Sequence, residues 1–249
     1  MTKFSRFRKL GALHLMWLLP LSAQQYGITR EQADAILSEL REIRQLLERQ
    51  AHAVVPDPQQ PERPRARVKL KLDTQNFIGS NDAPLTMVQF TDYQCDFCQR
   101  FFLATFPEIK QNYIDKGELK FYTRDLPLDM HPNAFVAAQA AHCAGDQNQF
   151  WTMHNRMSAD PTKLDMNNLT SYAKDLKLDA EAFRSCVESG KYKSTVQKQA
   201  TEATTIGANG TPSFVVGRST TEGVDGELVV GALPYAQFDQ TLKDLSGRK

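Results

Sequence analysis

Cys95 and Cys98, in Tyr93-Gln94-Cys95-Asp96-Phe97-Cys98, are the residues whose type and spacing point most directly to chemistry. A Cys-x-x-Cys can exchange disulfides, supply half of a zinc site, or form a structural bridge. Its setting favours the first, while the other two stay open on this stretch alone. Leu85 to Thr91 is short, apolar and rich in strand formers, with Pro84 as its boundary, which predicts a strand. Phe97, Phe101, Phe102 and Ala104 then recur at three- and four-residue spacing, an apolar stripe on a helix. Cys95 therefore falls at or just before a helix N-terminus, where unpaired N–H groups and the positive end of the macrodipole favour an anion. A thiolate is such an anion, so the position predicts a lowered Cys95 pKa. Cys98, one turn on, is near enough to resolve a mixed disulfide.

The elements that hold this pair begin at about Gln75. Pro107 is expected to kink or interrupt the helix after the cysteines. Leu119 to Thr123 is a second strand, and residues 131–206 read as a helical block with segments at 131–142, around Phe150 to His154, at 164–176, at 180–187 and at 192–206. Gly207-Ala-Asn-Gly-Thr-Pro212 is turn chemistry, followed by strands at 213–216 and 227–231 and a last helix opened by Pro234. The sum is an α/β fold: a small mixed sheet with a helical insertion.

Four stretches in order carry a resemblance: Phe90 to Cys98, Phe121 to Pro127, His131 to Ala134 with Ala141 to Cys143, and Gly210 to Phe214. Residues 75–249 resemble the thioredoxin fold, and more narrowly the DsbA-like thiol–disulfide oxidoreductases of the extracytoplasmic BdbD type. The resemblance implies that Cys95 is the exposed sulfur that forms mixed disulfides and Cys98 the shielded resolving thiol. It makes Pro212 a cis-proline facing the pair, with Thr211 presenting backbone groups to a substrate strand; without it, Thr211-Pro212 reads as an ordinary trans turn. It implies exported cysteine-containing proteins as substrates, no cofactor, and reoxidation by a membrane partner of the DsbB or vitamin-K-epoxide-reductase-like type. Two departures matter. Gln89 stands six residues before Cys95, where relatives carry a buried acid, and a neutral amide cannot shuttle a proton. Asp96-Phe97 replaces the Pro-His of the strongest oxidants, and a carboxylate there disfavours the thiolate, which implies a less oxidising protein.

The remaining cysteines, Cys143 and Cys186, lie on separate predicted helices. With Cys95 and Cys98 paired they are left to pair with each other, as in some DsbA-like relatives, or stay as two buried free thiols. Zinc would need a second ligand pair at short spacing, which His142-Cys143 and the isolated Cys186 do not supply. No metal is expected. His131 is expected to pack or cap, and His154, beside Trp151, to be a satisfied core residue.

The N-terminal third has a different character. Residues 1–23, with Lys3, Arg6, Arg8 and Lys9 before an apolar run, read as an export signal or an uncleaved anchor, hence a periplasmic or secreted protein in which disulfides persist. Residues 24–50 hold an amphipathic helix. Thr29 and Gln32 fit a capping box, and Ile36, Leu40, Ile43 and Leu47 form a heptad seam for homo-oligomerisation through 29–50 or for docking on the chain's own domain. Residues 51–74, with Pro56, Pro58, Pro61 and Pro64 and then Arg63, Arg65, Arg67, Lys69 and Lys71, read as a stiff basic linker. A net charge of +1 and the export signal argue against a nucleic-acid partner. The functional reading is an oxidase of protein thiols. The alternatives are an isomerase or reductase assembled through the helix, and a non-catalytic peptide-binding chaperone.

Overall fold

The computed structural model describes residues 29–54, 66–72 and 76–247. The export-signal and proline-rich readings lie outside the described residues. The chain divides into two units, Met1–Pro61 and Glu62–Lys249.

The first unit contributes α1 (Arg30–Val54). Its start is closed by the expected reciprocal cap: Gln32 N–H donates to Thr29 Oγ1 at 3.2 Å, and Thr29 N–H to Gln32 Oε1 at 3.0 Å. Ile36, Leu37, Leu40, Ile43 and Leu46 are each about half exposed. Among the described residues no helix is long and apolar enough to cross a membrane.

The second unit is built on a six-stranded sheet of β1 (Arg67–Lys71), β2 (Phe77–Ile78), β3 (Leu85–Thr91), β4 (Leu119–Asp125), β5 (Ser213–Ser219) and β6 (Gly223–Val230). The strand order is β1-β6-β5-β3-β4-β2. Only β3 and β4 pair in parallel; the other neighbours are antiparallel. Every residue of β3 is buried, as a central strand covered on both faces requires.

Some boundaries change, and α1 runs on to Val54, into the segment expected to be linker. Residues 67–71 are not linker but an edge strand, with Val68 opposite Gly226 and Leu70 opposite Val224. Their burial alternates, Val68 and Leu70 inward and Arg67, Lys69 and Lys71 outward, so the basic run is the solvent face of a strand. Outward lysines are also what keeps an edge from pairing with another chain. The last strand starts at Gly223 rather than 227, because Gly226 sits opposite Gly217. A Cβ on Gly226 would lie 2.3 Å from Val216 O, so the glycine permits a close approach of two strands.

The helix after Cys95 is not ended by Pro107. α2 (Asp96–Arg100) passes through a π-helical turn at Phe101–Thr105 into α3 (Phe106–Ile109) and a second π-turn at Lys110–Ile114. Pro107 has no N–H to donate and would crowd the carbonyl one turn back; the wider turn just before it accommodates both. This helix and α9 (Tyr235–Ser246) cover one sheet face, where Phe101 meets Phe214 and Phe238 at ring separations of 4.6 and 5.6 Å. The insertion comprises α4 (Ala134–Gly145), α5 (Phe150–Ala159), α6 (Met166–Asp175), α7 (Ala180–Glu188) and α8 (Lys193–Thr205). Asp165 and Asp179 cap α6 and α7 by accepting two backbone N–H bonds each. The insertion's core is alanine-rich along α4, which lets helices approach closely. Cys143 of α4 is bridged to Cys186 of α7, with Cα atoms 5.9 Å apart.

Candidate active site

Cys95 is the N-cap of α2, in extended conformation at φ −78° and ψ 120°, with no side-chain cap. The Asp92 carbonyl holds the turn by accepting the Cys95 N–H at 3.1 Å. The sulfur thus faces the free N–H groups of the first helical turn. Its pKa is lowered from 9.0 to about 5. The largest cause is the hydrogen bond from Cys98, opposed by desolvation; Thr211 and the backbone N–H groups of Cys98 and Phe97 lower it further. Cys98 moves the other way, well above its ordinary value, because burial and the neighbouring Cys95 both disfavour a second anion. The two sulfurs thus differ in acidity rather than in exposure: Cys95, expected to be the exposed one, is as buried as Cys98, each at 5%. Asp96 does not enter among the causes at Cys95, so the carboxylate expected to oppose the thiolate is outweighed by the Cys98 bond and the helix start.

Opposite lies the loop before β5. The Thr211–Pro212 peptide bond is cis, and the Thr211 carbonyl is 3.4 Å from Cys95 Sγ as acceptor for its thiol. Thr211 Oγ1 is buried with no hydrogen-bond partner of good geometry. Gly231 N–H donates to the Pro212 carbonyl at 2.8 Å, which ties this loop to the end of β6. The expected residues Cys95, Cys98, Thr211 and Pro212 are therefore one cluster. Cys143 and Cys186 belong to the insertion. Among the described residues no cluster of three or more His, Cys, Asp or Glu is placed to hold a metal ion.

Long-range polar pairs, which the sequence does not name, complete the site. Asp92, fully buried, receives the Gln94 N–H at 2.7 Å and the Leu128 N–H at 2.8 Å, and His131 Nδ1 lies 2.8 Å from it. His131 therefore pins the loop after β4 to the Cys-x-x-Cys turn. Tyr93 OH meets His154 Nδ1 at 2.9 Å. His154 is held neutral, its pKa lowered to about 4 by burial, which accords with a satisfied core residue. Asp125, at the end of β4, is 2.7 Å from His142 Nε2. The available signal was that Asp92, Asp125, His131 and His142 are polar residues at the ends of apolar segments; the pairings themselves are long-range. Phe97, inside the Cys-x-x-Cys, and Met130, in the loop after β4, are exposed at 53% and 78%.

A family model described as Thioredoxin matches residues 71–244. The chain is 28% identical over 151 residues to a probable disulfide bond formation protein D of Bacillus anthracis, an alignment covering 57% of this chain and 70% of that one. It is 33% identical over 145 residues to a Na(+)/H(+) antiporter NhaA 1 of Salinispora arenicola, covering 58% of this chain and 22% of that one. The chain thus spans about a fifth of the length of the antiporter relatives it matches. Among solved structures, alpha-DsbA1 of Wolbachia pipientis superposes with a TM-score of 0.64 at 23% identity, over 72% of this chain and 94% of that one. That likeness shows the fold, a thioredoxin-like sheet with a helical insertion.

Proposed function

Since the chain belongs to the thioredoxin family, we propose that it is a thiol–disulfide oxidoreductase exchanging disulfides with protein substrates through Cys95 and Cys98. One observation carries this: a Cys95 sulfur with a pKa lowered to about 5 beside a Cys98 thiol raised well above 9. That asymmetry lets one sulfur attack or leave while the other stays protonated until the mixed disulfide must be resolved. A substrate thiolate attacks Cys95 of the oxidised pair and Cys98 leaves as a thiolate that gains a proton. A second substrate thiolate then attacks the substrate sulfur of the mixed disulfide and releases Cys95. The substrate becomes a disulfide and the enzyme a dithiol. The low Cys95 pKa favours Cys95 as a leaving thiolate, which favours this oxidising direction. Phe97, Met130 and the Thr211–Pro212 loop form the surface offered to an unfolded chain.

The setting is extracytoplasmic, on the strength of residues 1–23 and of the Cys143–Cys186 bridge, a type of bond that persists in oxidising compartments. A membrane partner of the DsbB or vitamin-K-epoxide-reductase-like type regenerates the disulfide. The experiment is substrate trapping. Cys98→Ser retains the attacking sulfur without the resolving one and accumulates mixed disulfides at Cys95; Cys95→Ser accumulates none. If neither variant accumulates them and both keep the wild-type capacity to suppress aggregation, the protein is a peptide-binding chaperone and the pair only a bridge. The half-exposed apolar seam of α1 favours a second reading, an isomerase assembled through that helix. Deleting residues 24–50 then abolishes isomerisation and spares dithiol oxidation; equal loss, or none, removes it.

A further inference from the structure

The resolving thiol needs somewhere to send its proton. Cys98 is buried, 5% exposed, and the place where an acid would serve it holds Gln89, itself buried with Nε2 3.4 Å from Thr91 Oγ1. The sheet offers another group. On the face of β3 and β4 that bears Leu85, Met87, Leu119 and Phe121, the last two positions of each strand turn polar. Gln89 is opposite Thr123, and Thr91 is opposite Asp125. Side chains opposite one another in a parallel ladder point the same way, so these four form one polar block under Cys98. The Thr91 hydroxyl hydrogen-bonds to Cys98 Sγ, which puts Asp125 one side chain from the sulfur. Tyr93 reports the same proximity, because both Asp125 and Cys98 act electrostatically on its hydroxyl.

Asp125 also has a way out. Its Oδ2 is 2.7 Å from His142 Nε2, and its backbone N–H donates to Gln199 Oε1 at 2.8 Å. β2 pairs with β4 at Phe121 and Tyr122; beyond them, among the described residues, no strand pairs with this edge and Gln199 of α8 meets it instead. A cavity of roughly 200 Å³ lies there, lined by Thr123, His142, Tyr192 and Gln199 among others. Thr123 Oγ1 is buried with no protein partner, a hydroxyl that solvent from this cavity can satisfy. His142 thus stands between the buried Asp125 and the cavity.

We propose that Asp125, paired with His142, supplies the proton acceptor that Gln89 cannot, taking the Cys98 proton by way of Thr91 and releasing it through His142 into the cavity at the β4 edge. This rests on the exchange reading and adds a positioning residue to it. In the step served, Cys98 Sγ–H gives up its proton and the thiolate attacks Cys95 Sγ of the mixed disulfide. The Cys95–Cys98 bond forms, the bond from Cys95 to the substrate sulfur breaks, and that sulfur leaves as a thiolate protonated by solvent. In the reverse step the same route returns the proton. The titratable groups facing the pair are Tyr93 and Cys98 near Asp125, His154 of α5, on which Asp125 acts, and Tyr192, stacked on His142 at 5.0 Å, with Asp146 behind it.

The test is rapid mixing of the reduced full chain with excess oxidised glutathione, followed by acid quench and mass analysis. Attack by Cys95 and resolution by Cys98 then appear as separate phases. Asp125→Asn preserves shape and is expected to slow resolution by about a hundredfold, the low end of general acid–base contributions. The mixed disulfide accumulates, the pH dependence of resolution flattens, and the attack phase stays within about twofold, since the acceptor serves only Cys98. Gln89→Glu in the Asp125→Asn background returns an acid to the block and restores resolution, a rescue that a structural role would not give. Should Asp125→Asn not fold, His142→Gln is expected to slow resolution in the same way. Resolution at the wild-type rate in the folded variants, or a loss that Gln89→Glu does not rescue, overturns the proposal. Absence of any mixed disulfide in the wild type overturns the exchange reading, and this inference with it.

Discussion

Protonating Cys95 alters the stability of the reduced protein and leaves the oxidised protein untouched. The folded pKa of about 5 lies below the ordinary thiol value of 9.0, so between those pH values the unfolded reduced chain holds one more proton than the folded one. Stability of the reduced form therefore rises with pH across that window, by about 1.4 kcal/mol per pH unit. At pH 7 it has gained roughly 3 kcal/mol relative to pH values below 5, where the gain is lost. Cys98 does not cancel this: its pKa is raised, so it is protonated in both states below 9 and destabilises the folded form only above that. The other shifted groups, His154 among them, titrate in both redox forms and drop out of the difference. The assay is urea unfolding of both forms from pH 4 to 8, with Cys143–Cys186 kept intact and checked by alkylation. The reduced-minus-oxidised difference is expected to climb by roughly 3 kcal/mol between pH 4 and pH 7. Parallel curves would refute the thiolate and the differential stability derived from it.

Other outcomes follow from the same geometry. Thr211→Val removes a group that lowers the Cys95 pKa, so the pH midpoint of the ultraviolet thiolate absorbance should move upward while the fold persists. Cys143→Ala with Cys186→Ala opens a loop of sequence separation 43; on the chain-entropy model this costs about 4 kcal/mol, read as a lower urea midpoint with Cys95 reactivity unchanged. Phe101→Ala empties the ring cluster with Phe214 and Phe238 and should destabilise by about 3–5 kcal/mol. Gly226→Ala forces a Cβ against the Val216 carbonyl and should cost about 1–3 kcal/mol or more, as overpacking does.

Much of the site was legible because it is local. A strand, a Cys-x-x-Cys and a helical apolar stripe follow one another within some twenty residues, and each has its own signature at short range. The Thr29–Gln32 cap belongs to the same kind. Residues 67–71 were hidden because five basic side chains between 63 and 71 outweigh the two apolar ones that alternate with them, and an edge strand needs only one buried face. The start of β6 was hidden because Gly223 and Gly226 signal a turn, whereas their role depends on Gly217 across the ladder. The polar pairs are the deepest loss. Asp92 with His131, Asp125 with His142 and Tyr93 with His154 are joined across 39, 17 and 61 residues. Nothing in the spacing of either member names the other.

The most direct test of the account is the reduction potential of the Cys95–Cys98 pair, set by equilibration of the purified protein in glutathione buffers and read by alkylation and mass spectrometry. A Cys95 pKa of about 5 lies between those of the strongest oxidant, about 3.5, and of thioredoxin, about 7. The expected potential is near about −120 to −200 mV, on the oxidising side of the scale. A value near roughly −270 mV contradicts the oxidase reading and makes the protein a reductase. A pair that does not exchange at all contradicts the central claim.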